Sequence, residues 1–396
     1  MRHNTCRSTL ALGLAIATAP CAQAQDGAIF ENKGGLNFET ADGNFTFGVF
    51  GRIQADAAFY DEDAAALGSG SSFRRARIGV QGTFYEDWGF KSEFDFADEG
   101  VALADVYLQF LGLDPIVITA GHFKQPFSLD NITSTNDITF MERALTHDAL
   151  VPGRRIGAGI GAGGDNYSAN VGVFGETASN DAGEDGDGNE FDSGISAAAR
   201  ATFAPIVTDT SVLHFGGSVY WRDPSRGEET RFRTRPESNV TDVRLVDTDA
   251  IADVQDVTTY GLEAAGVAGP FHAQAEYMLA DVSSVLADAD FNGWYVEGGY
   301  FLTGESRPYA ADAGRWTRVT PESPGGAWQV ALRYSTIDLT DGAIDGGEED
   351  NLGVALNWYP NYYLRLSANY IEVLDQEQAG MSDEPSIFQM RAQVAF

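Results

Sequence analysis

Apolar and polar residues alternate one by one along most of this chain, and that period of two limits its fold more than any other feature. Alternation places successive side chains on opposite faces of an extended strand, whereas a helix needs apolar positions spaced by three and four. In "NFTFGVFGRIQAD" one face holds Phe45, Phe47, Val49 and Ile53, and the other Asn44, Thr46, Arg52, Gln54 and Asp56. In "RARIGVQGTF" Ala76, Ile78, Val80 and Phe84 oppose Arg75, Arg77, Gln81 and Thr83. The chain closes on the same pattern: "SIFQMRAQVAF" sets Phe388, Met390, Ala392, Val394 and Phe396 against Gln389, Arg391 and Gln393.

About sixteen such segments follow one another, near 44–60, 72–85, 89–97, 102–111, 115–123, 155–163, 167–176, 191–204, 211–223, 257–268, 270–284, 292–304, 326–338, 350–359, 362–375 and 386–396. Tight turns separate them at 86–88, 112–115, 163–166, 268–270 and 359–362, and longer acidic or glycine-rich links at 61–71, 124–154, 177–190, 224–256, 281–291, 339–349 and 376–385. An even strand number, with short turns on one side and long loops on the other, is the pattern of an outer-membrane barrel. Residues 305–325 break it, being long where a turn is due. Tyr85, Trp88, Trp358, Tyr359, Tyr362 and Tyr363 gather at the tight turns, as an interfacial aromatic girdle requires. The expected fold is therefore all-β: a 16-stranded antiparallel transmembrane β-barrel, apolar outside and polar inside, with the closing strand pairing to the first.

Composition fits an exported protein. Residues 1–24 carry Arg2 and Arg7, an apolar run from Leu10 to Ala19, and "AQA" before residue 25, which reads as a secretory signal. Residues 25–43 then form an N-terminal periplasmic segment and 44–396 the barrel. Cys6 and Cys21 both lie in the signal, so no disulfide framework is expected. The formal net charge of −33 excludes nucleic acid as a partner. Catalysis has little support, since His122, His147, His214 and His272 show no metal-ligand spacing and no nucleophile motif stands out; no cofactor is expected. "DAGEDGDGNE" (181–190) has Glu190 where a calcium loop needs glycine, and reads as a solvated acidic loop.

The loop 124–154 contains Phe127, Ile132, Ile138, Phe140, Met141 and Leu145, which would be wasted in open water. It is expected to fold inward and narrow the pore. Gly157, Gly159, Gly161 and Gly163 line one face of the next segment, and are expected to receive that loop; the alternative is that they relieve strand curvature. Among 25 basic residues only Lys33, Lys91 and Lys124 are lysine. Arginine's planar fork matches oxyanions. Arg52 lies on a polar strand face, as an anion contact or as the partner of Asp56 or another carboxylate. Adjacent Arg74 and Arg75 cannot both face inward in a regular strand, so either Arg74 sits above the apolar band or the strand bulges. "RFRTR" puts Arg231, Arg233 and Arg235 on one face, either as an anion path or as an exposed loop tied to Asp242 and Asp247.

"FGRIQAD", "SFRRARIGVQG", "AGHFKQPFSLD", "TFMERAL", "VPGRRIG", "YGLEAAGVAGPFHAQAEYM", "LTGESRPY" and "NLGVALNWYPN", in that order, resemble the phosphate-selective porin O/P family. The resemblance implies a trimeric sixteen-stranded outer-membrane porin of a Gram-negative bacterium, with inward loops and a basic anion path. It makes Arg52, Arg74, Arg75, Lys124, Arg231, Arg233 and Arg235 the candidate substrate-binding residues. It also implies a long periplasmic segment after "LTGES", with Arg307, Arg315 and Arg318 where a lysine cluster stands in the family, and puts Asn131 where a loop lysine is expected. Implied partners are small anions, outer-membrane lipids and lipopolysaccharide, a homotrimer, and the barrel assembly machinery through Phe396. The function expected is passive diffusion of small anions, phosphate or polyphosphate among them, through an arginine-lined constriction. The alternative is a general or cation-preferring porin governed by its acidic loops.

Overall fold

The computed structural model describes residues 29–31, 36–97, 100–175, 194–224 and 230–396. The signal segment, Lys33 and the acidic run 181–190 lie outside them. Sixteen antiparallel strands form one closed wall: β1 (Phe45–Asp61), β2 (Gly70–Phe84), β3 (Trp88–Asp95), β4 (Ala102–Leu113), β5 (Ile116–Lys124), β6 (Arg154–Gly164), β7 (Tyr167–Phe174), β8 (Ile195–Val207), β9 (Ser211–Asp223), β10 (Val254–Ala268), β11 (Phe271–Ser284), β12 (Ala289–Phe301), β13 (Ala327–Asp341), β14 (Ile344–Asn361), β15 (Leu364–Gln378) and β16 (Ser386–Ala395). Each pairs with its neighbour in sequence, and β16 pairs with β1 from Ser386–Asp61 to Ala395–Arg52. Closure leaves no edge across the apolar belt, which is what a sheet needs to span lipid.

The wall is polar inside and apolar outside. Leu332 is 54% exposed and its neighbour Arg333 3%; Leu262 is 66% exposed and Glu263 5%. A soluble protein would reverse each pair. Aromatic pairs ring the tight-turn end, with Trp328 stacked on Trp358 (5.4 Å between centroids), Trp88 against Phe110 (5.0 Å) and Phe271 against Tyr300 (4.4 Å). Tyr359 departs from the girdle: it is buried, with its hydroxyl donating to Gln329 Oε1.

Two links differ from the sequence reading. The stretch 339–349 is strand rather than loop, because β13 and β14 run on to Asp341 and Ile344 and turn over Gly342 at φ 59°. Residues 305–325, which the family resemblance makes a long periplasmic segment, do not simply bridge two strands outside the barrel. They rise into the barrel, where Trp316 is fully buried, its indole N–H donates to Gln274 Oε1 (2.5 Å), and Arg307 lies 4.4 Å over its ring.

The 124–154 loop enters from the opposite end and folds inward, as its apolar residues require. Phe127, Leu129, Phe140, Met141 and Leu145 are all buried. It carries two short helices, α1 (Leu129–Ile132) and α2 (Leu145–Leu150). The two inward segments meet inside the barrel, where Trp316 N–H donates to Thr133 Oγ1 and Arg307 Nη2 to the Asp137 carbonyl.

Candidate functional site

An arginine palisade sets the position of the inward loop. Arg333, Arg365 and Arg391 project from the polar faces of β13, β15 and β16, and Arg307 from the rising segment. Arg365 donates to the carbonyls of Ile138 and Thr139, Arg391 to that of Met141, and Arg333 to that of Glu142. On the far flank, Glu276 of β11 accepts from the backbone N–H groups of Leu129 and Asp130. A guanidinium offers several donors in one plane, so a few wall residues satisfy a loop that would otherwise bury bare carbonyls. The loop is thereby pinned against β11–β16.

Open space remains on the other side, as a cavity of about 1050 Å³ bounded by β1–β8, the loop, and the tip of the rising segment at Asp312, Ala313 and Arg315. Its lining carries Arg52, Arg74, Arg75, Arg77, Lys91, Lys124, Arg143, Arg154, Arg200 and Arg315, against the acids Asp105, Glu142, Asp148 and Asp312. The cavity is thus basic within a strongly acidic chain.

Adjacent Arg74 and Arg75 both reach it. The β1–β2 register passes from Gln54–Arg75 to Ala55–Phe73, so Arg74 is the extra residue of a bulge and turns inward too. Arg74 makes a forked pair with Glu142 of the loop, at 2.9 and 3.1 Å. Arg75 Nη1 donates to Gln54 Oε1 (2.9 Å) and makes no ion pair among the described residues. Arg52 has Glu93, not Asp56, as its carboxylate partner (2.7 Å), and its Nη1 donates to Thr135 Oγ1 at the loop (3.0 Å). Lys124 Nζ donates to the carbonyl of Asn131, so a cation stands beside the position where the family pattern has its loop lysine. Further ion pairs, Arg77–Asp95 (2.6 Å), Lys91–Asp105 (2.8 Å) and Arg154–Asp105 (2.7 Å), fix cations along the wall. Burial would raise the Glu142 carboxyl, but Arg74, Arg391 and Arg75 outweigh it and hold the group well below the usual carboxylate range.

Four lining side-chain nitrogens are buried with no partner among the described residues: Arg52 Nε, Arg75 Nε, Asn131 Nδ2 and His147 Nε2. Among the described residues, no buried side-chain oxygen of the lining is left in that state. The nitrogens of Arg52, Arg75 and Asn131 are donors, while His147 Nε2 donates or accepts according to the ring's tautomer. A buried donor without an acceptor costs about 1–3 kcal/mol, so this part of the lining favours acceptors, water among them.

Two expectations are corrected. Arg231, Arg233 and Arg235 do not reach the cavity. They alternate as expected, with Phe232 and Thr234 buried between them, but Arg231 forks onto Asp247 (2.5 and 2.6 Å) and Arg235 bonds Asp242 (2.7 Å). Their loop lies at the long-loop end, tied to the wall where Glu237 accepts from Arg333 and Ser335. The glycine row does not receive the 124–154 loop either. Gly159, Gly161 and Gly163 line the open cavity, and a Cβ at Gly163 would strike the Asp312 carbonyl of the rising segment. Close backbone approach is real there, but the partner is the other inward segment. Of the arginines at 307, 315 and 318, only Arg315 lines the cavity.

Sequence reasoning missed Arg143, Arg154 and Arg200 in the lining and the loop-holding set Arg333, Arg365 and Arg391. The last three were detectable as arginines on the polar face of a patterned strand. Arg391 in particular was expected to face lumen water and is instead buried against Asp56, Glu142 and the loop.

The model of phosphate-selective porin O and P matches residues 47–396. Porin O of Pseudomonas aeruginosa is 29% identical over 409 aligned positions, covering 92% of each chain. A protein of Caulobacter vibrioides is 34% identical over 355 residues, covering 85% of this chain and 70% of its own. Among solved structures, an anion-selective porin from Comamonas acidovorans superposes with a TM-score of 0.57 at 14% identity, covering 89% of this chain and all of that one; the likeness is one of fold.

Proposed function

The chain belongs to the phosphate-selective porin O and P family, a β-barrel of the Gram-negative outer membrane, and from that premise we propose that it passes small oxyanions, phosphate first among those to test. The observation that carries this reading is the cavity lining. Its cations outnumber its acids, and among the described residues each of its buried side-chain polar atoms without a partner is a nitrogen.

The mechanism is selection by field and by exchange of hydration. An oxyanion entering the cavity gives up water for charge-assisted hydrogen bonds from arginine forks and the Lys124 ammonium. Arg75, Lys124 and Arg315 are the strongest candidates to contact it, because no carboxylate neutralises them within ion-pair distance among the described residues. Arg52 and Arg74 are engaged by Glu93 and Glu142, so their part is to orient the loop and raise the local potential. Arg231 and Arg235, neutralised within their own loop, contribute at most to the outer approach, and Arg233 shares that loop outside the cavity lining. Contacts must stay weak for the solute to leave, and a shared field from several cations meets that need better than one tight cage.

The net charge of −33 favours a second reading, a porin in which acidic outer loops set a cation preference. Reversal potentials across a salt gradient in planar bilayers separate the two, with phosphate added to test block of chloride current. Anion preference with phosphate block supports the proposal; cation preference overturns it. Assembly as a homotrimer, contact with lipopolysaccharide, removal of residues 1–24, a periplasmic place for 25–43, and recognition of Phe396 by the assembly machinery complete the proposed setting.

A further inference from the structure

One edge of β1 is paired with β2 from Phe45–Phe84 to Ala58–Gly70. The other edge is shared by two segments from opposite ends of the sequence. The closing strand holds it from Asp61 to Arg52, and Gly51 exchanges both backbone hydrogen bonds with Phe396. Two residues further on, the strand Leu36–Glu39 takes over, pairing Leu36–Val49, Asn37–Gly48, Phe38–Phe47 and Glu39–Thr46. Ile29–Glu31 pairs in turn with Leu36–Glu39.

Side-chain direction follows from this register. Gly48 and Thr46 lie on the same face of β1 as Arg52, so Asn37 and Glu39 opposite them face the lumen. The Asn37 amide lies over Gly48, where a Cβ would approach its Oδ1 to 2.5 Å. Phe38 packs against Phe47 on the outer face, with ring centroids 6.3 Å apart. A second cavity of about 410 Å³ lies here, lined by Asn37, Phe38 and Glu39 with Thr46, Phe47, Gln81 and Thr83. It shares Lys91, Tyr107 and Gln109 with the basic cavity. The two cavities thus adjoin at those three side chains.

We propose that Leu36–Glu39 is a stave of the channel wall at the periplasmic exit, and that Asn37 and Glu39 are pore-lining residues. The proposal rests on the reading of the barrel as a conducting channel. Glu39 then places a carboxylate just beyond the Lys91 ammonium, so an anion leaving the basic cavity by this route meets a repulsive charge at the exit.

Two sets of full-chain variants in planar bilayers test this. Screening lengths are about 10 Å at 0.1 M salt and about 3 Å at 1 M. Glu39→Gln is therefore expected to shift the reversal potential toward anions at 0.1 M, Glu39→Lys to shift it further, and both to converge on the parent at 1 M. In the second set, Asn37→Cys and Phe38→Cys are treated with a charged thiol reagent, the parent chain being the control. Modification is expected to lower single-channel current at position 37 and leave it unchanged at position 38. Unchanged reversal potentials in both Glu39 variants, or equal responses at 37 and 38, would overturn the proposal. Arg75→Ala, measured beside them, tells this failure from failure of the anion reading, since its reversal potential depends on the basic cavity alone.

Discussion

Arg391 of the last strand grips Asp56 of the first through two charge-assisted hydrogen bonds, 2.7 and 2.6 Å long, and also reaches Glu142 of the inward loop at 2.6 Å. One buried guanidinium thus joins the seam that closes the barrel to the loop folded inside it. Removing one member of a buried ion network leaves the others desolvated and unpaired, at about 3–5 kcal/mol, whereas replacing members together by apolar groups is often nearly neutral. Asp56→Ala is expected to lower the temperature at which the folded barrel loses its compact electrophoretic mobility. Asp56→Leu with Arg391→Met should recover much of that loss. Equal melting of the single and double variants would refute the coupling.

The anion reading makes a separate demand on Asn131. Its side-chain nitrogen has no partner among the described residues, and its carbonyl already receives Lys124. Asn131→Lys is expected to strengthen phosphate block of chloride current, and Arg75→Ala to weaken it, each by about tenfold if one charge-assisted contact of roughly 1.5 kcal/mol is gained or lost. Block that is unaffected by both changes would remove these residues from the anion path.

Glu142 carries a pH signature. Its folded pKa lies below the ordinary 4.5, so its pairing stabilises the fold fully above that value and fades as pH falls through the folded pKa. The stability difference between the parent and Glu142→Gln is expected to be constant from pH 8 to about pH 5.5 and to shrink only in more acid solution. A difference that changes steadily between pH 8 and 6 would show that Glu142 is not held ionised by its arginines.

The rising segment bounds the basic cavity together with the inward loop. Arg307 stacks on Trp316 and bonds Gln274, Glu297 and the Asp137 carbonyl. Arg307→Met is expected to release the segment from the loop and raise single-channel conductance, while the barrel keeps its folded mobility. Unchanged conductance would mean that the segment holds its place without the arginine.

The outer face gives a test of membrane placement. Leu332, on the outside of β13, is 54% exposed. Leu332→Arg is expected to destabilise the barrel by about 2–4 kcal/mol if it lies near the bilayer midplane, and by less toward the interfaces. Chemical unfolding from lipid vesicles measures this; a neutral effect would place Leu332 off the lipid.

Most of the wall was legible because each strand carries its own instruction. Ile53 beside Gln54, or Val394 beside Gln393, already tells which side faces lipid, and a period of two needs no distant partner to be read. The inward loop was legible for a similar reason, since Phe127, Phe140 and Leu145 must be covered by something. Its landing place was not. The glycine row looked like the receiving surface, yet the loop lies on Arg333, Arg365 and Arg391, from strands some two hundred residues later. Whether a lumen-facing arginine bonds a carbonyl, pairs with an acid or stays available for solute depends on what lies across the barrel.

The alternation of apolar and polar residues by itself determined that this chain forms a closed, lipid-facing wall, because lipid tolerates only a sheet whose outer side chains are apolar and whose backbone groups are all paired. The tertiary structure alone decided which cations face open space. Arg231 and Arg235 are quenched by Asp247 and Asp242. Arg391 is spent on the seam, and Arg75 and Lys124 are left beside the cavity. Charge acts across space and is neutralised by whatever the fold brings within a few ångströms, so an arginine's role belongs to its neighbours as much as to its place in the chain.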